Sequence, residues 1–198
     1  MDTRNVDAPL IVEFSGPFSW LGQDSPSVFV APLGQARGLY IWSISVGNQD
    51  VVYYVGLTQR TFAERFLEHF KEHASGGYHL HDPAEFAAGR KVQLWPGRFG
   101  AERQSVQEFI RRYEELIPAI TALTNLYRFH LAPLTLDQRS LERIEAALAN
   151  HLYASPDVVG EFQDAGIQYR PRRPSEPPFE IAFRSQVPLL GLPSKLSG

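Results

Sequence analysis

Gly38-Leu39-Tyr40-Ile41-Trp42-Ser43-Ile44-Ser45-Val46 is followed by Gly47-Asn48-Gln49-Asp50 and then by Val51-Val52-Tyr53-Tyr54-Val55-Gly56. The outer runs are rich in β-branched and aromatic residues, which suit a pleated, half-buried surface. The polar segment between them has the composition of a tight turn, so the stretch predicts an antiparallel hairpin. Thr61-Phe62-Ala63-Glu64 comes next and has the form of a capping box, opening a helix that Ser75-Gly76-Gly77 ends. Phe62, Phe66, Leu67 and Phe70 make its apolar stripe.

Upstream lie two β-like runs, Leu10–Phe14 and Ser27–Ala31. Downstream, residues 78–102 are turn-rich, with a strand expected at Lys91–Trp95. A helix follows from about Ser105, carrying Val106, Phe109, Ile110, Tyr113 and Leu116 on one face, with Pro118 expected to kink or divide it. Leu126–Leu131 alternates like a strand, and Thr135-Leu136-Asp137-Gln138 opens a helix to about Tyr153. From 156 the chain is rich in Pro and Arg, with one β-like run at Phe179–Phe183, and reads as an extended arm. The expected fold is α/β, with a small central antiparallel sheet flanked by helices. Residues 1–35 form an N-terminal extension of the same domain, 36–155 its body with an insertion at about 74–124, and 156–198 the C-terminal arm.

At 198 residues, 43% hydrophobic and 21% charged, the chain holds enough apolar material for a core. The lack of cysteine excludes disulfides, thiolate metal sites and a cysteine nucleophile. Nothing resembles a signal peptide or a membrane span, so a soluble cytoplasmic protein is expected. The formal net charge of −3 argues mildly against a phosphate-gripping surface, but arginines cluster locally. Arg90-Lys91, Arg98, Arg103, Arg111-Arg112 and Arg170, Arg172, Arg173 offer candidate basic faces.

Strand, turn, strand, helix and a later strand–helix pair, carrying Gly38-Leu39-Tyr40, Tyr54-Val55-Gly56, Arg65, His69 and Glu145, resemble the GIY-YIG nuclease domain. The resemblance covers roughly residues 36–155. It implies a metal-dependent endonuclease acting on phosphodiester bonds, with DNA as the expected partner and Mg²⁺ or Mn²⁺ as cofactor. Tyr40, Tyr54, Arg65 and His69 would be catalytic and Glu145 the single metal ligand. Arg90, Lys91, Arg98, Arg170, Arg172 and Arg173 would contact nucleic acid. The alternative is a nucleic-acid-binding module on the same fold that does not cleave. Three departures stand out, the first a loop between Gly56 and Arg65 that is one residue longer than in some members. Thirteen residues separate the tripeptides, and no asparagine follows Pro156 where members of the family often carry one; Asn150 lies within the helix instead.

The residue types suit that chemistry. Glu145 falls in register with Leu141, Leu148 and Leu152, and a carboxylate in an apolar stripe needs a cation or an arginine such as Arg139. Glu142 is the rival ligand, on a face turned away from Leu148. Arg65 and His69 share a helix face. A guanidinium presents a fork of donors to phosphate, and imidazole moves protons near neutral pH. Against this stands a surface ion pair of Arg65 with Glu64, Glu68 or Glu72, and a packing role for both tyrosines. Tyr53 is expected on the sheet face opposite Tyr54. His69 with His73, and His79 with His81, invite a zinc reading, which the lack of cysteine and of an HExxH pattern disfavours.

Overall fold

The computed structural model describes residues 8–99, 102–163 and 171–198. Its strands are β1 (Leu10–Phe18), β2 (Gly38–Val46), β3 (Gln49–Thr58), β4 (Leu80–His81), β5 (Gln93–Trp95), β6 (Arg128–Pro133), β7 (Glu180–Ser185), β8 (Leu189–Leu190) and β9 (Lys195–Ser197). The helices are α1 (Phe62–Ala74), α2 (Pro83–Ala87), α3 (Val106–Arg111), α4 (Tyr113–Leu126), α5 (Gln138–Tyr153) and α6 (Val158–Phe162).

Seven strands form one sheet in the order β8-β3-β2-β6-β1-β7-β9, and β4 pairs with β5 in a separate ribbon. The sheet is therefore α/β as expected, but large and mixed rather than small and antiparallel. β7 runs parallel to β1, and β8 parallel to β3. The stretch expected to be an extended arm supplies three of these strands. Its apolar Ile181 and Phe183 are buried, which removes more apolar surface from water than a solvated arm would.

The hairpin of β2 and β3 forms with Tyr40 opposite Gly56 and Trp42 opposite Tyr54. Its register slips between Trp42 and Ser43, leaving Tyr53 as the extra residue of a bulge. β2 is buried at every position from Gly38 to Ile44, so both faces of the sheet centre are covered.

α1 begins with the expected capping box. The Thr61 hydroxyl accepts from the Glu64 amide while the Glu64 carboxylate accepts from the Thr61 amide, an arrangement worth about 1 kcal/mol. Its buried face is Phe62, Phe66, His69 and His73, with Leu67 exposed. The inner stripe thus includes two histidines that the apolar pattern passed over. α5 opens two residues later than the expected capping box, on Asp137, whose carboxylate accepts from the Ser140 amide.

Two further expectations are corrected. Ser27–Ala31 forms a turn instead of a strand, because the Ser27 carbonyl accepts from the Val30 and Ala31 amides. The helix from Ser105 breaks at Arg112 and not at Pro118, which lies inside α4 near its start and costs one bond of the helical ladder.

Trp20, Trp42, Phe66, Tyr127 and Phe129 form an aromatic core, with ring centroids 5.2 Å apart for Trp20–Trp42 and 4.4 Å for Phe66–Phe129. This core backs the cleft described next. Among the described residues, no helix is long and apolar enough to cross a membrane.

Candidate active site

A cleft of about 270 Å³ opens beside the aromatic core, lined by Trp42, Tyr53, Tyr54, Arg65, His69, His73, Tyr78, His79 and Tyr127. Adjacent strands bring the Tyr40 and Tyr54 rings to 6.2 Å, and α1 lays Arg65 and His69 across them. The Tyr40 hydroxyl lies 2.8 Å from His69 Nε2 and accepts from Arg65 Nε at 3.2 Å. Tyr40 is fully buried, while Tyr54 and Arg65 reach the cleft.

The register gives Gly56 a steric role. A Cβ placed there would sit 2.5 Å from Cζ and the hydroxyl of Tyr40, so the second tripeptide ends in glycine because the tyrosine of the first lies over it. Gly56→Ala is expected to cost about 1–3 kcal/mol by overpacking and to push the Tyr40 phenol away from His69. A denaturant midpoint unchanged from the parent would contradict this.

Burial sets the titration behaviour. It pushes the phenols of Tyr40 and Tyr54 up, aided at Tyr40 by Tyr54 and at Tyr54 by the charge of Glu145. Burial, with Arg65 adding to it, holds His69 down at about 3, so its ring is neutral near pH 7. His73 is likewise lowered to about 4 by burial, and its Nε2 lies 3.2 Å from the Ile120 carbonyl.

Glu145 comes from α5, which packs against β3. Desolvation raises its carboxyl to about 7; the Leu57 backbone amide and Arg65 favour the anion, and Glu142 opposes it. Glu145 and Arg65 act on one another electrostatically, and Glu145 raises the phenols of Tyr54 and Tyr40. Hydrogen bonds and ring contacts bring Tyr40, Tyr54, Arg65 and His69 together, while Glu145 is not among the residues that line the cleft. Arg139, the expected arginine partner, instead pairs with Glu176 at 2.7 Å. Glu142 accepts from Gln138 Nε2 at 3.0 Å and stays largely solvated. No ion pair to Glu145 occurs among the described residues. A carboxylate left in this state is a suitable single anchor for a hard cation, with water and phosphate oxygens completing its shell. Among the described residues, no group of three or more His, Asp or Glu side chains is placed to hold a metal.

No protein-family model, curated protein or solved structure matches this chain. Its chemistry must therefore be read from the site alone.

The expected basic contacts divide. Arg98 pairs with Glu72 at 2.9 Å and donates its backbone amide to the Gly77 carbonyl, one residue before Tyr78, but does not line the cleft. Arg90 pairs with Glu85, and Lys91 donates to the Gln163 carbonyl at 3.3 Å. Arg172 and Arg173 are exposed on the C-terminal stretch, and Arg170 lies outside the described residues. Tyr53 borders the same cleft as Tyr54, against expectation, because the bulge inserts it; it still packs, stacking on Tyr127 at 5.6 Å.

Sequence reasoning passed over Tyr78 and Arg143, and named Glu68 only as a possible surface partner of Arg65. Tyr78 lies 2.8 Å from His69 Nδ1, through its hydroxyl. Glu68 accepts from Arg60 and from Arg65 (3.1 Å), and the Arg60 bond leads in holding its carboxyl down at about 2. Arg143, only 7% exposed, is taken up with the C-terminal stretch. The arginine–glutamate spacing on α1 was a visible signal for Glu68; no local pattern pointed to Tyr78 or Arg143.

Proposed function

We propose that the chain is a divalent-metal-dependent endonuclease that hydrolyses phosphodiester bonds in DNA. One observation carries this reading: an Arg65–Tyr40–His69 hydrogen-bond chain is electrostatically linked to a desolvated carboxylate, Glu145, that no arginine or lysine among the described residues pairs with.

Glu145 is the residue that would hold Mg²⁺ or Mn²⁺, which when bound supplies Lewis-acid stabilisation of phosphate charge and a template for the phosphate oxygens. Arg65 exchanges its contact with Glu68 for a phosphate oxygen and neutralises charge as it develops. Tyr40, its hydroxyl proton directed at His69 Nε2, then polarises the attacking water by accepting a hydrogen bond from it. Tyr54, already facing the cleft, orients the phosphate or the water.

The full burial of Tyr40 favours a second reading, a binding module in which Tyr40 only packs. Duplex DNA incubated with Mg²⁺ or Mn²⁺ separates the two. Cleavage by the parent and loss of roughly 10²-fold or more in Tyr40→Phe are expected, since a positioned proton-transfer group contributes that much. Salt-sensitive DNA binding without cleavage supports the module instead. Binding that ignores salt excludes both, because phosphate contacts release counterions.

A further inference from the structure

His69 has two ring nitrogens, and each meets a phenol: Nε2 that of Tyr40 and Nδ1 that of Tyr78, both at 2.8 Å. A neutral imidazole carries one N–H, so one nitrogen donates and the other accepts. The Tyr40 oxygen already accepts from Arg65 Nε, and Tyr40 is shut off from solvent. Its own hydroxyl proton must therefore find a buried acceptor, and His69 Nε2 is placed for it. Tyr78 is only half-buried and lines the cleft, so its oxygen can accept from Nδ1–H while its own proton turns to water.

The chain is shaped to bring Tyr78 there. α1 ends at Ala74, and Gly76 adopts φ +68°, a conformation that suits glycine. A Cβ on Gly76 would also strike the Phe109 ring at 2.2 Å. The Gly76 carbonyl accepts from Trp95 Nε1 at 2.7 Å, and the Gly77 amide donates to the Glu72 carbonyl at 2.7 Å. The turn is thus pinned from β5 and from α1, and Tyr78 folds back along the helix to reach a residue nine positions earlier.

We propose that Tyr78 is a positioning residue: its hydroxyl accepts from His69 Nδ1–H and so fixes the tautomer in which Nε2 is free to accept the Tyr40 proton. The catalytic part of this inference rests on the nuclease reading; the tautomer does not.

The test has two arms on the full chain. In the first, the His69 ring is followed by ¹⁵N NMR at neutral pH in the parent and in Tyr78→Phe. The parent is expected to carry its proton on Nδ1, and Tyr78→Phe to shift the ring toward a mixture of tautomers. In the second, Mg²⁺-dependent cleavage of duplex DNA is measured for both. Tyr78→Phe is expected to lower kcat roughly 10- to 100-fold, as loss of a group that orients a functional histidine does, with KM changed less than about twofold. A parent ring protonated on Nε2, or a Tyr78→Phe ring with an unaltered tautomer, overturns the proposal. So does a tautomer shift that leaves kcat intact in an enzyme that cuts. If the parent cuts no DNA, the nuclease reading fails by itself, and the ring signals still decide the assignment of Tyr78. A raised KM with unchanged kcat would mark Tyr78 as a substrate contact and equally overturn it.

Discussion

Glu145→Gln should reduce metal-dependent cleavage by roughly three orders of magnitude and, in the same preparation without metal, raise the melting temperature above pH 7. Both effects come from one cause. The Glu145 carboxyl sits at about 7 in the folded protein against 4.5 for a free one, because burial disfavours its charge. The folded state therefore binds the proton more tightly than the unfolded state. Below about pH 4.5 the group is protonated in both states and costs nothing. Between 4.5 and 7 the unfolded chain ionises it first, so stability falls as pH rises; above 7 the penalty is complete, on the order of 3 kcal/mol. Glutamine keeps the shape and never ionises. The two proteins should melt together near pH 4 and diverge towards pH 8, with the variant higher. Adding Mg²⁺ should raise the melting temperature of the parent only, since a ligand stabilises the state that binds it. A variant that cuts normally and melts early at pH 8 would show that Glu145 is a structural anion and not a metal anchor.

The largest loss of stability is expected from Arg143→Met. Arg143 donates to the carbonyls of Pro171 (3.1 Å), Pro177 (2.6 Å) and Gly198 (2.9 Å), and its guanidinium lies 4.3 Å from the centre of the Phe179 ring. Glu176 adds a charge at 3.8 Å. Methionine fills similar space but leaves the three carbonyls, that of Gly198 in a buried bond, without their charged donor, at a cost of about 3–5 kcal/mol. The damage should be local as well as global. β7 and β9 hang on this anchor, so limited proteolysis should cut the variant first between about residues 171 and 198. The β2–β3 hairpin and α1 should stay protected, and Tyr40, Arg65 and His69 should keep their arrangement. Urea unfolding with an unshifted midpoint would remove Arg143 from this role.

These outcomes follow how the information is distributed along the chain. The β2–β3 hairpin, the capped start of α1 and the late helix bearing Glu145 were legible in the sequence, because each depends on neighbours a few residues apart. Side-chain alternation, a hydroxyl three residues before a carboxylate and apolar spacing along a helix are local signals. The five expected site residues were named through the resemblance that those elements carry, not from the local signals themselves. The meeting of Tyr40, Tyr54, Arg65 and His69, and the burial that tunes them and Glu145, depended on contacts between segments far apart in sequence. Tyr78 meets His69 only because a double-glycine turn reverses the chain, and that turn is held from β5. Among the described residues Glu145 has no ion pair, and Arg139 is held by Glu176, thirty-seven residues beyond it. The C-terminal stretch looked like an arm because its strands are short and interrupted by proline. It becomes part of a seven-stranded sheet because β1 offers a free edge to β7, and Arg143 offers donors to the carbonyls around it. Local pattern decided which elements exist; the burial of side chains and the pairing of backbone groups between distant segments decided where they meet and what charge each site residue carries.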